Sequence, residues 1–173
     1  MVAREPELAE VWGWLGDIPD PEIPAISILD LGIVRDVAWA GEGGARTLRV
    51  SITPTYSGCP AMRAIEHDVA TRLAEEGIAQ VAIEVRLAPA WTTDWLSASG
   101  REKLRAYGIS PPRVRAADPN APIDLICAPE ERAECPRCGS RVVELVSRFS
   151  STPCKALFRC VACREPFDHF KSH

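Results

Sequence analysis

The chain has 173 residues, of which 46% are apolar and 25% charged, with a formal net charge of −4. A disordered chain would hold fewer apolar residues, and a membrane span would need about 18 consecutive ones, so a soluble globular protein is expected. Charge is uneven: residues 1–110 carry 10 Lys and Arg against 16 Asp and Glu, residues 111–173 carry 10 against 8, and neither half offers the basic patch that nucleic acid needs.

The first stretch, Met1 to Glu10, is acidic and has no apolar core, so no secretory signal is expected and the protein reads as cytoplasmic. Leu8, Val11, Trp12 and Leu15 then recur at helical spacing and predict a helix over Glu7–Leu15. The run Asp17-Ile-Pro-Asp-Pro-Glu-Ile-Pro24 follows, a turn stiffened by Pro19, Pro21 and Pro24, with Asp20 and Glu22 free to face solvent or a ligand. Residues 33–39 and 47–53 read as a pair of strands. In the second, Leu48, Val50 and Ile52 alternate with Arg49, Ser51 and Thr53.

Pro60 to Glu76 is predicted to be a helix, with Met62, Ile65, Val69 and Leu73 along one side. A third strand over 81–87 is expected to bury Val81, Ile83, Val85 and Leu87. A last helix is expected over Thr93–Tyr107. The order predicts an α+β fold, a small α-β-β-α-β-α sandwich over residues 1–109.

The segment Thr53-Pro-Thr-Tyr-Ser-Gly-Cys59-Pro60 carries the chemistry of this domain. With Pro60 at the first helical position, Cys59 would be the N-cap, its thiolate favoured by free backbone N–H groups and by the helix dipole. Its pKa is expected to fall, with Thr55 and Ser57 as nearby hydroxyl donors. A lone cysteine is more often a small buried hydrophobe, but this strand–turn–helix setting favours a reactive or metal-binding thiol. His67 falls on an exposed side of the helix, so a Cys–His hydrolase is poorly supported.

Residues 110–133 hold five prolines without periodicity and read as a linker, with Cys127 inside it. Residues 134–173 are too few to fold on apolar burial alone. Cys135-Pro-Arg-Cys138 and Cys160-Val-Ala-Cys163 are two CxxC knuckles separated by 21 residues, the donor set of a closed tetrahedral Zn²⁺ site in a C-terminal zinc ribbon. A rubredoxin-like iron or a cluster on the same four cysteines is the competing reading. Val142, Val143, Leu145 and Val146, then Ala156, Leu157 and Phe158, would form the ribbon's two strands. Cys154 is read as a small core residue or as a thiol that helps hold metal in transit. His169 and His173 lie beyond the ribbon and are unneeded as ligands.

At the segments Asp20-Pro-Glu-Ile-Pro24, Leu29-Asp-Leu-Gly-Ile-Val34 and Thr53 to Pro60 the chain resembles the iron–sulfur cluster assembly family that includes SufT. Pro89 to Trp95, Tyr107 to Pro112, Cys154 to Cys160 and Cys163 to Asp168 narrow the resemblance to the PaaD (PaaJ) family of the phenylacetyl-CoA epoxidase system. Phe158 and His169 stand where that pattern would have tyrosine. The resemblance implies an accessory role in aerobic phenylacetate breakdown, the maturation of an iron–sulfur or iron centre in an oxygenase or reductase subunit. It also implies that Cys59 handles a transient cluster or iron, with Asp20 and Glu22 as the accompanying acidic motif.

The residues agree with an accessory protein rather than a catalyst. A di-iron oxygenase would need Glu-x-x-His pairs on bundle helices, and a reductase would need a glycine-rich dinucleotide loop; neither is present. A structural or regulatory subunit with no metal-transfer role is the alternative. One Cys59 per chain cannot complete a cluster, so a homodimer pooling two is a further expectation.

Overall fold

The computed structural model describes residues 6–41, 46–112 and 133–171. The chain divides into two compact units, residues 1–91 and 92–173. No helix among the described residues is long and apolar enough to cross a membrane.

In the first unit, α1 (Leu8–Gly16) opens with a reciprocal cap, the Glu10 carboxylate accepting the Glu7 N–H at 2.8 Å. Its Val11 and Leu15 are fully buried. Strands β1 (Val34–Ala40) and β2 (Thr47–Ile52) pair antiparallel, and β3 (Val81–Val85) lies parallel to β2, giving the order β1-β2-β3. A parallel pair requires a crossover, which α2 (Met62–Glu75) supplies. Leu48, Val50 and Ile52 of β2 are wholly buried, as are Val69 and Leu73 of α2, so the predicted alternation does set the core. The opposite face of β2 is less open than alternation suggests, since Ser51 and Thr53 are buried too.

The outer strand departs from expectation. β3 ends at Val85, and Val85 and Leu87 are 44% and 61% exposed rather than buried. As the last strand of a three-stranded sheet, β3 has a neighbouring strand on one side only among the described residues.

The second unit begins earlier than the sequence suggests, at Thr92 instead of after residue 109. The single helix expected over Thr93–Tyr107 is broken. A 3₁₀ turn at Thr93–Trp95 is followed by extended Leu96, then by α3 (Ala98–Ala106), capped by Ser97 Oγ accepting the Gly100 N–H at 2.8 Å. After α3, β4 (Ile109–Ser110) joins the sheet of the cysteine module, in the order β4-β7-β6-β5 with β5 (Val143–Ser147), β6 (Lys155–Cys160) and β7 (Pro166–Phe170). Ile109 and Ser110 pair parallel with Asp168 and His169. That ladder makes residues 92–112 part of the ribbon's unit. Most of the proline-rich linker, with Cys127, lies outside the described residues, as does His173.

Candidate functional site

Cys135, Cys138, Cys160 and Cys163 converge, all four Sγ atoms lying within 4.8 Å of one another. Cys135 and Cys163 are 3.7 Å apart, and Cys138 and Cys160 3.5 Å. A tetrahedral ion with Zn–S bonds of about 2.3 Å sets sulfurs about 3.8 Å apart, so these residues fit one Zn²⁺. The cluster's electrostatics ask for a cation. The Cys163 N–H holds the Cys160 thiol down to about 6. Cys138 is pushed up to about 12: the Ser140 N–H favours its thiolate, and the neighbouring sulfurs of Cys160 and Cys163 override it.

The two knuckles are built alike. The residue after each second cysteine turns back through positive φ, Gly139 at 74° and Arg164 at 66°. The Gly139 N–H then returns to the Cys135 carbonyl at 2.9 Å, and the Arg164 N–H to that of Cys160 at 3.0 Å. β7, a strand not expected from the sequence, completes the wall behind the cluster with Phe167 stacked on Phe158.

Cys154 is buried away from the cluster, its sulfur 3.0 Å from Thr152 Oγ1, which agrees with a core residue. His169 likewise stands outside the four-cysteine group. It is buried edge-on to Phe158, with Nδ1 3.2 Å from Ser110 Oγ.

In the first unit the thiol setting differs from expectation. α2 begins at Met62, and Cys59 stands on the preceding turn, its carbonyl accepting the Met62 N–H at 3.3 Å. Gly58, at φ +87°, makes the bend that presents the thiol. Cys59 is half-buried, and burial is the main reason its pKa rises instead of falling. The carboxylates of Glu22 and Asp20 raise it further, against the Ala61 N–H and the Tyr56 hydroxyl, which favour the thiolate. The expected helix-dipole effect is outweighed. The stabilising donors are Ala61 and Tyr56 rather than Thr55, which is buried, and Ser57, which is exposed.

Asp20 and Glu22 are thus close enough to act electrostatically on Cys59, and they play different parts. Asp20 is 5% exposed, and its Oδ1 accepts the N–H groups of Glu22 at 2.9 Å and Ile23 at 2.7 Å, which fixes the proline turn. Glu22 is only part-buried, on the backbone that Asp20 holds. His67 is exposed on α2. A lock that sequence reasoning missed supports this turn. Ser27 and Asp30 cap one another's N–H groups, and Trp91 Nε1 donates to the Leu31 carbonyl at 2.8 Å. A Ser-x-x-Asp spacing is the signal that could have revealed it.

Residues 121–171 match the family described as PaaD zinc beta ribbon domain, and residues 8–85 the family described as iron–sulfur cluster assembly protein. The fold resembles a domain of unknown function DUF59 from Bacillus anthracis, with TM-score 0.50 and 24% identity over 56% of this chain and 89% of that one. A conserved hypothetical protein from Thermotoga maritima aligns with TM-score 0.48 and 25% identity over 59% of this chain and 97% of its own. A protein of Escherichia coli (strain K12) named as a component of 1,2-phenylacetyl-CoA epoxidase is 47% identical over 166 residues, 96% of this chain and 93% of that one. With near-complete coverage at that identity, and with the four-cysteine ribbon in place, the chain belongs to the PaaD family of phenylacetyl-CoA epoxidase subunits.

Proposed function

We propose that the protein is a maturation subunit of a phenylacetyl-CoA epoxidase system, which carries iron or an iron–sulfur cluster as cargo to an oxygenase or reductase subunit. The observation that supports this reading best is the setting of Cys59. A half-buried thiol with two carboxylates in electrostatic reach is discouraged from existing as a bare thiolate. The same carboxylates attract a cation, so an arriving metal can displace the thiol proton. Cys59 would bind the cargo, Glu22 would draw it in, and Asp20 would hold the turn that carries Glu22.

The four ribbon cysteines hold Zn²⁺ in this reading. A closed S₄ site leaves no open position, so that ion staples the module and takes no part in the transfer. The protein then acts in the cytoplasm as an accessory subunit with no reaction of its own.

Anaerobic reconstitution with iron and sulfide tests the proposal. A visible chromophore is expected in the parent protein and lost in Cys59→Ser with zinc retained. No chromophore, alongside a stable complex with epoxidase subunits, would favour a structural or regulatory subunit instead. That second reading draws support from the apolar surface of the ribbon, where Val142, Val146 and Phe149 are each more than half exposed.

A further inference from the structure

β3 uses one of its two edges to pair with β2. The Leu48 N–H bonds the Gln80 carbonyl, and the Arg86 N–H bonds the Ile52 carbonyl, so the even-numbered residues of β3 turn their backbone groups toward β2. By strand alternation the N–H and C=O groups of Ile83 and Val85 point to the other edge, and the Arg86 bond carries the ladder one residue past the end of β3. Among the described residues no strand lies there. Val85 and Leu87 are exposed, and the segment 85–90 is exposed throughout. The charged side chains on this stretch before Pro89 are Glu84 and Arg86, of opposite sign.

We propose that two chains dimerise by antiparallel pairing of β3 about a two-fold axis at Val85. That register sets Val85 opposite Val85 of the second copy as a hydrogen-bonded pair. Ile83 falls opposite Leu87, and Glu84 opposite Arg86, each twice by symmetry. The neighbouring registers are worse, on charge or on the facing of the side chains. Shifting the register by two residues, so that the axis passes through Glu84 or Arg86, puts Glu84 opposite Glu84 or Arg86 opposite Arg86. Shifting it by one puts the aliphatic face against the charged one. Within one chain Glu84 and Arg86 already pair at 3.1 Å, with Arg49 3.9 Å from Glu84, so both side chains stand on the face where the second copy's partners would arrive. A second copy is therefore the occupant that the pattern fits.

A single strand pair is a small interface, at or below the ~1,200 Å² end of specific complexes, so a dimer forming at about 10–100 μM is expected. An axis perpendicular to the sheet keeps both copies of the β2–α2 turn on one face of the six-stranded sheet. Both Cys59 thiols would then serve one side of the dimer; this consequence rests on the cargo reading above, whereas the dimer does not.

Sedimentation equilibrium of the full zinc-loaded chain across that concentration range provides the test. The parent protein should show a concentration-dependent dimer. Glu84→Arg and Arg86→Glu should each weaken it roughly tenfold or more, because like charges then face each other twice. Mixing the two variants should restore dimerisation as a heterodimer, since the two arginines of one chain then meet the two glutamates of the other. The double variant, E84R with R86E, should dimerise as the parent does, which separates lost pairing from lost folding. A parent protein that stays monomeric throughout would overturn the proposal. So would single variants that dimerise unchanged, or a mixture that stays monomeric beside them.

Discussion

The imidazole of His169 in β7 meets the hydroxyl of Ser110 in β4 at 3.2 Å, and both residues are buried. Beside them the Glu134 N–H donates to the same hydroxyl at 3.2 Å. One serine thus joins three segments, the strand after α3, the entry to the first knuckle and the last ribbon strand. The four-cysteine site is consequently framed by more chain than the ribbon alone.

Burial holds the His169 pKa down to about 4, against its ordinary 6.5, despite the opposing hydrogen bond to the Ser110 backbone. A histidine with a depressed folded pKa contributes stability that is fully present above 6.5 and is lost as pH falls toward 4. Between about pH 7 and 5.5 the loss from this group should be about 1 kcal/mol. His169→Gln, which can still bond Ser110, should be less sensitive over that interval by about the same amount in chemical denaturation. Equal pH slopes for the two proteins would show that His169 does not carry the effect.

Donor geometry sets the expected metal content. Elemental analysis should find about one Zn²⁺ per chain, and Cys160→Ser should lose it. Because β4 pairs with β7, hydrogen exchange should then rise in α3 and β4 as well as in the ribbon, while the sheet of β1 to β3 stays protected. Cys154→Ser should keep its zinc. Zinc retained in Cys160→Ser would demand a different ligand set.

The two knuckles make a paired test. Gly139→Ala places a side chain at φ 74° with no steric contact closer than 4.0 Å, so its cost should come from the backbone alone, about 1 kcal/mol. Arg164 already bears that strain at the matching position of the second knuckle. Arg164→Gly should therefore stabilise zinc-loaded protein by up to about 1 kcal/mol in denaturant titrations. A loss in Arg164→Gly as large as that in Gly139→Ala would mean that the arginine side chain makes contacts that outweigh its backbone.

The legible parts of this protein are those with a local signal. The knuckle spacing names the four sulfurs that converge, and the alternation of Leu48, Val50 and Ile52 names the core of β2. What stays hidden depends on distant chain. Ile109-Ser110 is a two-residue strand that, among the described residues, pairs with β7 alone, and no local pattern in the sequence places α3 with the ribbon. Val85 and Leu87 follow the periodicity of buried residues, but β3 is an edge, and edge position is a property of the sheet rather than of the strand. For Cys59 the favourable backbone N–H is a local effect, correctly signed in the sequence. Burial reverses its outcome, helped by two carboxylates of the Asp20 turn that the fold brings near.

That reversal yields the prediction closest to function. An N-cap thiolate would alkylate quickly near neutral pH, whereas a thiol pushed up by burial and by Glu22 and Asp20 should react more slowly than an ordinary cysteine of pKa about 8.5. Glu22→Gln removes one of the two raising charges, so its Cys59 should alkylate faster than the parent's at about pH 7 to 8, followed by mass spectrometry of the peptide spanning residue 59. The same variant should take up iron less well, because the charge that opposes the bare thiolate also attracts the cation. Asp20→Asn should differ, since it disturbs the Glu22 and Ile23 N–H bonds and loosens the turn, which a fall in thermal midpoint would register. Cys59→Ser should leave fold and zinc intact and abolish support of growth on phenylacetate. If Glu22→Gln left the alkylation rate unchanged while impairing iron uptake, Glu22 would act as a direct ligand of the cargo and not through its charge on the thiol.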